Sequence, residues 1–112
     1  MNGALEALDR ILNRGGDADE VLRSVVQVLV REPGLVWAGI AFRDQESLVA
    51  GPSAGTPDET RRIRVPVSFR GEPVGELAVD GDADPGFLER VATLVSAYVL
   101  LGWDAGGETR EP

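Results

Sequence analysis

The sequence predicts an α+β domain: an antiparallel four-stranded sheet with helices on one face. Three observations predict it. Residues 4–32 carry apolar side chains at helical spacing, residues 35–80 carry alternating and β-branched runs between turn signals, and an apolar helix follows Pro85. At 112 residues, 43% of them hydrophobic, the chain has room for one folded domain, placed at 1–104 with a polar tail over 105–112.

The first helix is predicted over Ala4–Asn13, with Leu5, Leu8, Ile11 and Leu12 on one side and Glu6, Asp9 and Arg10 opposite. Gly15-Gly16 ends it. Asp17 is placed as the cap of a second helix, with Glu20 completing a capping box. That helix buries Val21, Leu22, Val25, Val26 and Leu29 and stops before Pro33. Leu35–Arg43 reads as the first strand, its sides being Val36, Ala38, Ile40 and Phe42 against Trp37, Gly39, Ala41 and Arg43. Glu46–Ala50 reads as a short second strand, and Gly51–Glu59, rich in Gly, Pro, Ser and Asp, as a loop.

Arg61–Phe69 and Pro73–Asp80 form a hairpin whose register follows from its pattern. Ile63, Val65, Val67 and Phe69 belong on the same face as Gly75, Leu77 and Val79, which requires Val65 opposite Leu77 and Ile63 opposite Val79. A three-residue turn, Arg70-Gly71-Glu72, with a left-handed residue at or beside Gly71, gives that pairing. Arg62 then lies beside Asp80, and Arg64 beside Ala78 and Glu76. Asp84 and Pro85 open the last helix as cap and first helical residue, and the helix ends near Gly102.

The order of these elements resembles that of GAF domains. The likeness rests on Val65-Pro66-Val67, Gly71, Gly75-Glu76-Leu77-Ala78-Val79, Phe87-Leu88 with Val91-Ala92, and the opening Asp19-Glu20-Val21-Leu22. It covers most of the chain through diffuse, structural motifs. The expected architecture is therefore GAF/profilin-like, strand order 2-1-4-3, and the expected role sensory or regulatory. In the family a long excursion between the second and third strands closes over a ligand; here only Gly51–Glu59 spans that interval.

Composition limits the chemistry. With no cysteine and no histidine there is no thiolate nucleophile, imidazole base or Cys/His zinc site. The bilin-attaching and free methionine sulfoxide reductase branches of the family use cysteine, so neither activity is expected. The reading is a non-enzymatic module with no metal and no cofactor. A net charge of −8 repels phosphate backbones, so nucleic acid is not an expected partner. No apolar stretch is long enough to cross a bilayer and no basic region precedes an apolar core at the N-terminus, so the expected location is cytoplasmic.

Two surfaces are candidates. The sheet face away from the helices brings together Trp37, Arg62, Arg64 and Glu76 over the small residues Gly39, Ala41 and Ala78, a surface on which a planar anion could stack and pair. The plainer reading of Arg62–Asp80 is a surface cross-strand pair worth at most about 1 kcal/mol. The second surface is apolar: Leu5, Leu8, Ile11 and Leu12 of the first helix with Leu94, Tyr98 and Leu101 of the last, read as a homodimer interface, since GAF domains often pair through these helices. The alternative is that the first helix folds back on the last within one chain. Arg61-Arg62-x-Arg64 reads as a charged edge strand, and Asp82/Asp84 as capping residues.

Overall fold

In a computed structural model, residues 2–110 are described. Helices α1 (Asn2–Arg14) and α2 (Ala18–Leu29) precede strands β1 (Leu35–Asp44) and β2 (Ser47–Gly55). A short 3-10 turn, Glu59–Arg61, leads into strands β3 (Arg62–Phe69) and β4 (Glu72–Gly81), which helix α3 (Pro85–Arg110) follows. The sheet is antiparallel throughout, in the order β2-β1-β4-β3. This is the predicted α+β architecture.

Apolar periodicity explains which face each element buries. Val21, Leu22, Val25, Val26 and Leu29 of α2 join Leu88, Val91, Val95 and Val99 of α3 over Ala38, Ile40, Phe42, Val67, Leu77 and Val79 of the sheet. Both helices thus cover one face and leave the other open. At the start of α3 the predicted cap is present, with the Phe87 N–H donating to Asp84 Oδ2 at 3.0 Å. The capping box predicted for α2 is absent. Asp17 holds the cap position in an extended conformation, but its carboxylate makes no capping bond. Asp19 and Glu20 in the first turn complement the helix dipole instead.

The β3–β4 hairpin has the predicted register, with Ile63 opposite Val79 and Val65 opposite Leu77, but reaches it differently. Phe69 pairs with Glu72, so the turn holds two residues, Arg70 (φ 53°) and Gly71 (φ 82°), both left-handed. A two-residue turn alone would misalign the apolar sets. An extra residue in β4 corrects this: Ser68 pairs with Pro73 while Val67 pairs with Gly75, and Val74 between them is a bulge. Strand β1 also departs from simple alternation at its start. A register irregularity between Leu35 and Trp37 buries Leu35 and leaves Val36 40% exposed, so Val36 is not on the helix face.

Two boundaries also differ. Strand β2 runs to Gly55, taking in Gly51–Gly55, which the sequence marks as a loop. As an edge strand it tolerates Pro52, whose missing N–H need not be satisfied by a neighbour. A bulge opposite Ile40 seats Gly51 beneath the Phe42 ring. Helix α3 continues past Gly102 to Arg110, so the expected polar tail is helical in this span. The Trp103 side chain lies outside the described residues.

Helix α1 folds onto its own chain. Leu8 is completely buried, Leu5, Ile11 and Leu12 are half-buried against the core, and the Tyr98 hydroxyl donates to the Leu12 carbonyl at 3.3 Å. Leu8 is therefore a core residue and not an interface residue. Leu94 and Leu101 remain exposed, at 37% and 53%. The substitution Leu8→Ala is expected to cost about 2–4 kcal/mol in urea unfolding of the monomer, and Leu101→Ala no more than about 0.5 kcal/mol. Among the described residues no helix is long and apolar enough to cross a membrane.

Candidate functional site

The open face of the sheet is organised by cross-strand rows. Asp80 on β4 lies between Trp37 on β1 and Arg62 on β3, and Ala78 lies between Gly39 and Arg64. Glu76 pairs with Ala41 on one side and Pro66 on the other. On the far side of β1, Ser53 pairs with Gly39 and Ala50 with Ala41. Small side chains along the middle of these rows leave a trough between taller ones. The result is an open groove of about 310 Å³, lined among others by Trp37, Leu48, Ala50, Arg62, Arg64 and Glu76.

All four sequence candidates, Trp37, Arg62, Arg64 and Glu76, line this groove. Gly39 is what lets the Trp37 indole lie along the sheet, because a Cβ there would collide with the benzo edge of the ring. The Arg62 guanidinium sits 4.3 Å from the indole centroid, a cation–π contact that fixes the ring. Further along, Arg64 Nη1 donates to Glu76 Oε1 at 2.9 Å. Arg64 is 57% exposed and Glu76 21%.

Asp80 holds the Trp37 end together. Its carboxylate is fully buried and accepts three hydrogen bonds. Arg62 Nε donates to Oδ1 at 2.7 Å, Arg62 Nη2 to Oδ2 at 2.9 Å, and the Asp58 N–H to Oδ2 at 2.7 Å. The fork of the guanidinium matches both carboxylate oxygens. Arg62–Asp80 is consequently not the weak surface pair that its sequence context indicates. The bidentate bond from Arg62 holds the Asp80 carboxyl below its ordinary range; burial opposes this, and the Asp58 N–H reinforces it. The Arg62 guanidinium is in turn shifted upward, chiefly by its hydrogen bonds to Asp80. Through Asp58, the same carboxylate ties the β2–β3 connection to the sheet.

Sequence reasoning missed two parts of the site. Leu48 and Ala50 lie in the predicted second strand but were not assigned to the groove, and Ser53 falls in the stretch that Gly, Pro and Ser mark as a loop; the alternation of Leu48 with Ala50 is the available signal. Asp80 was read only as the surface partner of Arg62, since nothing local marks an aspartate in a strand as buried. Of the apolar set, Leu94 and Leu101 stay on the surface, while Leu5, Leu8, Ile11, Leu12 and Tyr98 pack within the monomer. Among the described residues no cluster of three His, Cys, Asp or Glu side chains is arranged to hold a metal ion.

No protein-family model matches the chain, and no curated protein matches it. Solved structures do. A GAF domain of an Acinetobacter phosphoenolpyruvate-protein phosphotransferase superposes with a TM-score of 0.73 at 17% identity, over 96% of this chain and 99% of that one. The GAF domain of a Coxiella burnetii phosphoenolpyruvate-protein phosphotransferase gives 0.71 at 14% identity, over 93% and 96%. Free methionine-R-sulfoxide reductase from Neisseria meningitidis, in complex with its substrate, gives 0.68 at 17% identity, over 91% of each chain. That reductase, and further ones of the same activity, overturn the expectation that this chain is not an enzyme, because enzymes share its architecture. Four antiparallel strands in the order β2-β1-β4-β3, helices on one face and an open groove on the other make this a chain of GAF-like fold.

Proposed function

We propose that this domain is a GAF-like regulatory module that binds a small molecule in the groove on the open face of its sheet. The observation that carries the reading is convergence. Trp37, Arg62, Arg64 and Glu76, drawn from three strands, meet over a floor of glycine and alanine that leaves space where ordinary side chains would fill it. The buried Asp80 fixes Arg62, and Arg62 fixes Trp37, so one wall is built before any ligand arrives.

The test is a thermal-shift screen of chemically mixed small molecules against the protein and its Gly39→Val variant. A ligand at a hundred times its Kd adds about 2.7 kcal/mol of stability, a rise in Tm of roughly 10 °C for a domain of this size. The new side chain at Gly39 has to push the indole aside, so the variant is expected to stay folded and to lose the shift. Absence of any stabilising compound, or hits that persist in Gly39→Val, would remove the groove from the account.

A second reading, a homodimer formed through α3, is favoured by the exposed side chains of Leu94 and Leu101. Sedimentation equilibrium is expected to show a dimer that Leu101→Glu dissociates; a monomer at all concentrations contradicts it.

A further inference from the structure

We infer that the groove takes an uncharged planar heterocycle presenting an N–H donor beside a carbonyl acceptor, a lactam edge. This rests on the groove being the ligand site and goes beyond it to the ligand's chemistry.

Charge comes first. The groove and its floor hold two guanidinium groups, and each is already mated to a carboxylate: Arg62 to Asp80 at 2.7 and 2.9 Å, with Glu59 as a further carboxylate 3.8 Å from its Nη1, and Arg64 to Glu76 at 2.9 Å. Because the pairs neutralise the arginines, an anionic ligand meets no net positive charge, and taking a guanidinium as its own counter-ion would draw it from its carboxylate. For Asp80 that carboxylate is fully buried, which makes the exchange costly. The planar anion expected from sequence therefore does not suit the site as folded. A ligand without net charge leaves both pairs intact.

Hydrogen-bonding capacity comes second. The Arg64–Glu76 pair uses one guanidinium nitrogen and one carboxylate oxygen. Among the described residues Glu76 Oε2 and the other Arg64 nitrogens have no hydrogen-bond partner, and the pair is in part open to solvent. Side by side they offer donors and an acceptor, the complement of a carbonyl next to an N–H. Neutral partners suffice to satisfy them.

Shape comes third. Gly39, Ala41, Ala50 and Ala78 give a low, nearly featureless floor, and the stacked Arg62–Trp37 pair adds a flat, polarisable wall. Guanidinium and indole planes are favourable surfaces for a flat ring.

The experiment follows the Trp37 indole N–H and the Gly39 and Ala78 amides by two-dimensional ¹⁵N NMR. The protein is titrated with uracil and hypoxanthine as lactams, 1,3-dimethyluracil as a lactam stripped of its N–H, inorganic phosphate and benzoate as anions, and L-phenylalanine as a zwitterion. Saturable shifts are expected with at least one lactam. Loss of the N–H in dimethyluracil, and separately Glu76→Gln, are each expected to weaken binding about tenfold or more, with the fold intact by Tm. If an anion or the zwitterion moves these resonances more tightly than the lactams, or if Glu76→Gln binds lactams unchanged, the inference falls while the groove stands as a ligand site. If no probe of any class moves them, both fall.

Discussion

Replacing Asp80 by asparagine is expected to destabilise the domain by roughly 2–3 kcal/mol, the range for hydrogen bonds to a buried charged group. The side chain keeps its shape, so the loss is one of hydrogen-bond complementarity. Asp80 faces donors only: Arg62 Nε on one oxygen, Arg62 Nη2 and the Asp58 N–H on the other. An amide has one acceptor oxygen, and in either orientation its NH₂ confronts a donor. Arg62 then loses its anchor, the Asp58 N–H or the guanidinium loses a partner, and the Trp37 indole loses the cation stacked on it. The matching control is Glu76→Gln. It removes a charge from the more exposed Arg64–Glu76 pair and should cost no more than about 1 kcal/mol.

The pH dependence of that difference has a definite sign. The Asp80 carboxyl is held below its ordinary value of 3.8 in the folded protein. Its contribution to stability is therefore fully present above that value and is lost as pH falls through the depressed one. Urea unfolding of the protein and of Asp80→Asn should show a constant gap from neutral pH down to about 4, closing at more acid pH. Other carboxylates titrate in both proteins and largely cancel in the difference. A gap that stays open in acid would show that the asparagine acts through packing rather than through the missing charge.

The second large effect is expected at Gly75, in the middle of β4. A Cβ there would sit well inside van der Waals contact with the Ala41 carbonyl oxygen and 2.8 Å from Val99 Cγ1. One obstacle is backbone of the neighbouring strand, and the other is a fully buried side chain of α3. Neither yields without separating β1 from β4 or α3 from the sheet. Gly75→Val is thus expected to cost about 3 kcal/mol or more, at the upper end for overpacking, and to leave little folded protein at 37 °C. Gly71→Ala separates space from conformation. Nothing lies within 4 Å of the added Cβ, but φ is +82°, so the expected cost is only about 1 kcal/mol. Equal effects at the two positions would mean that the strand packing around Gly75 is not as described.

The same residues show why parts of this protein are legible in its sequence and others are not. Register in the β3–β4 hairpin is readable because burial of Val67, Leu77 and Val79 on one face allows only one alignment. The means of achieving it is not readable. A two-residue turn with a bulge at Val74 and a three-residue turn without one leave the same apolar pattern. The second half of strand β2 is hard to see because an edge strand with one neighbour tolerates Gly51, Pro52 and Gly55, residues that elsewhere signal a turn. Four groove residues are accessible to reasoning because alternation places Trp37, Arg62, Arg64 and Glu76 on one face. The depth of Asp80 is not, since its burial comes from Arg62 and from the β2–β3 connection, which meet it only in three dimensions.

The fold places the apolar stripes of α2 and α3 on one side of the sheet and so leaves the other side free to be a site. Its occupation is what the functional account depends on. The most direct measurement is a ¹⁵N chemical-shift map of the protein with any compound that stabilises it. The largest shifts are expected on the Trp37 indole and on Gly39, Ala50, Arg64, Glu76 and Ala78, with α1 and α2 unmoved. Shifts confined to the helical face, with the groove resonances unchanged, would contradict it.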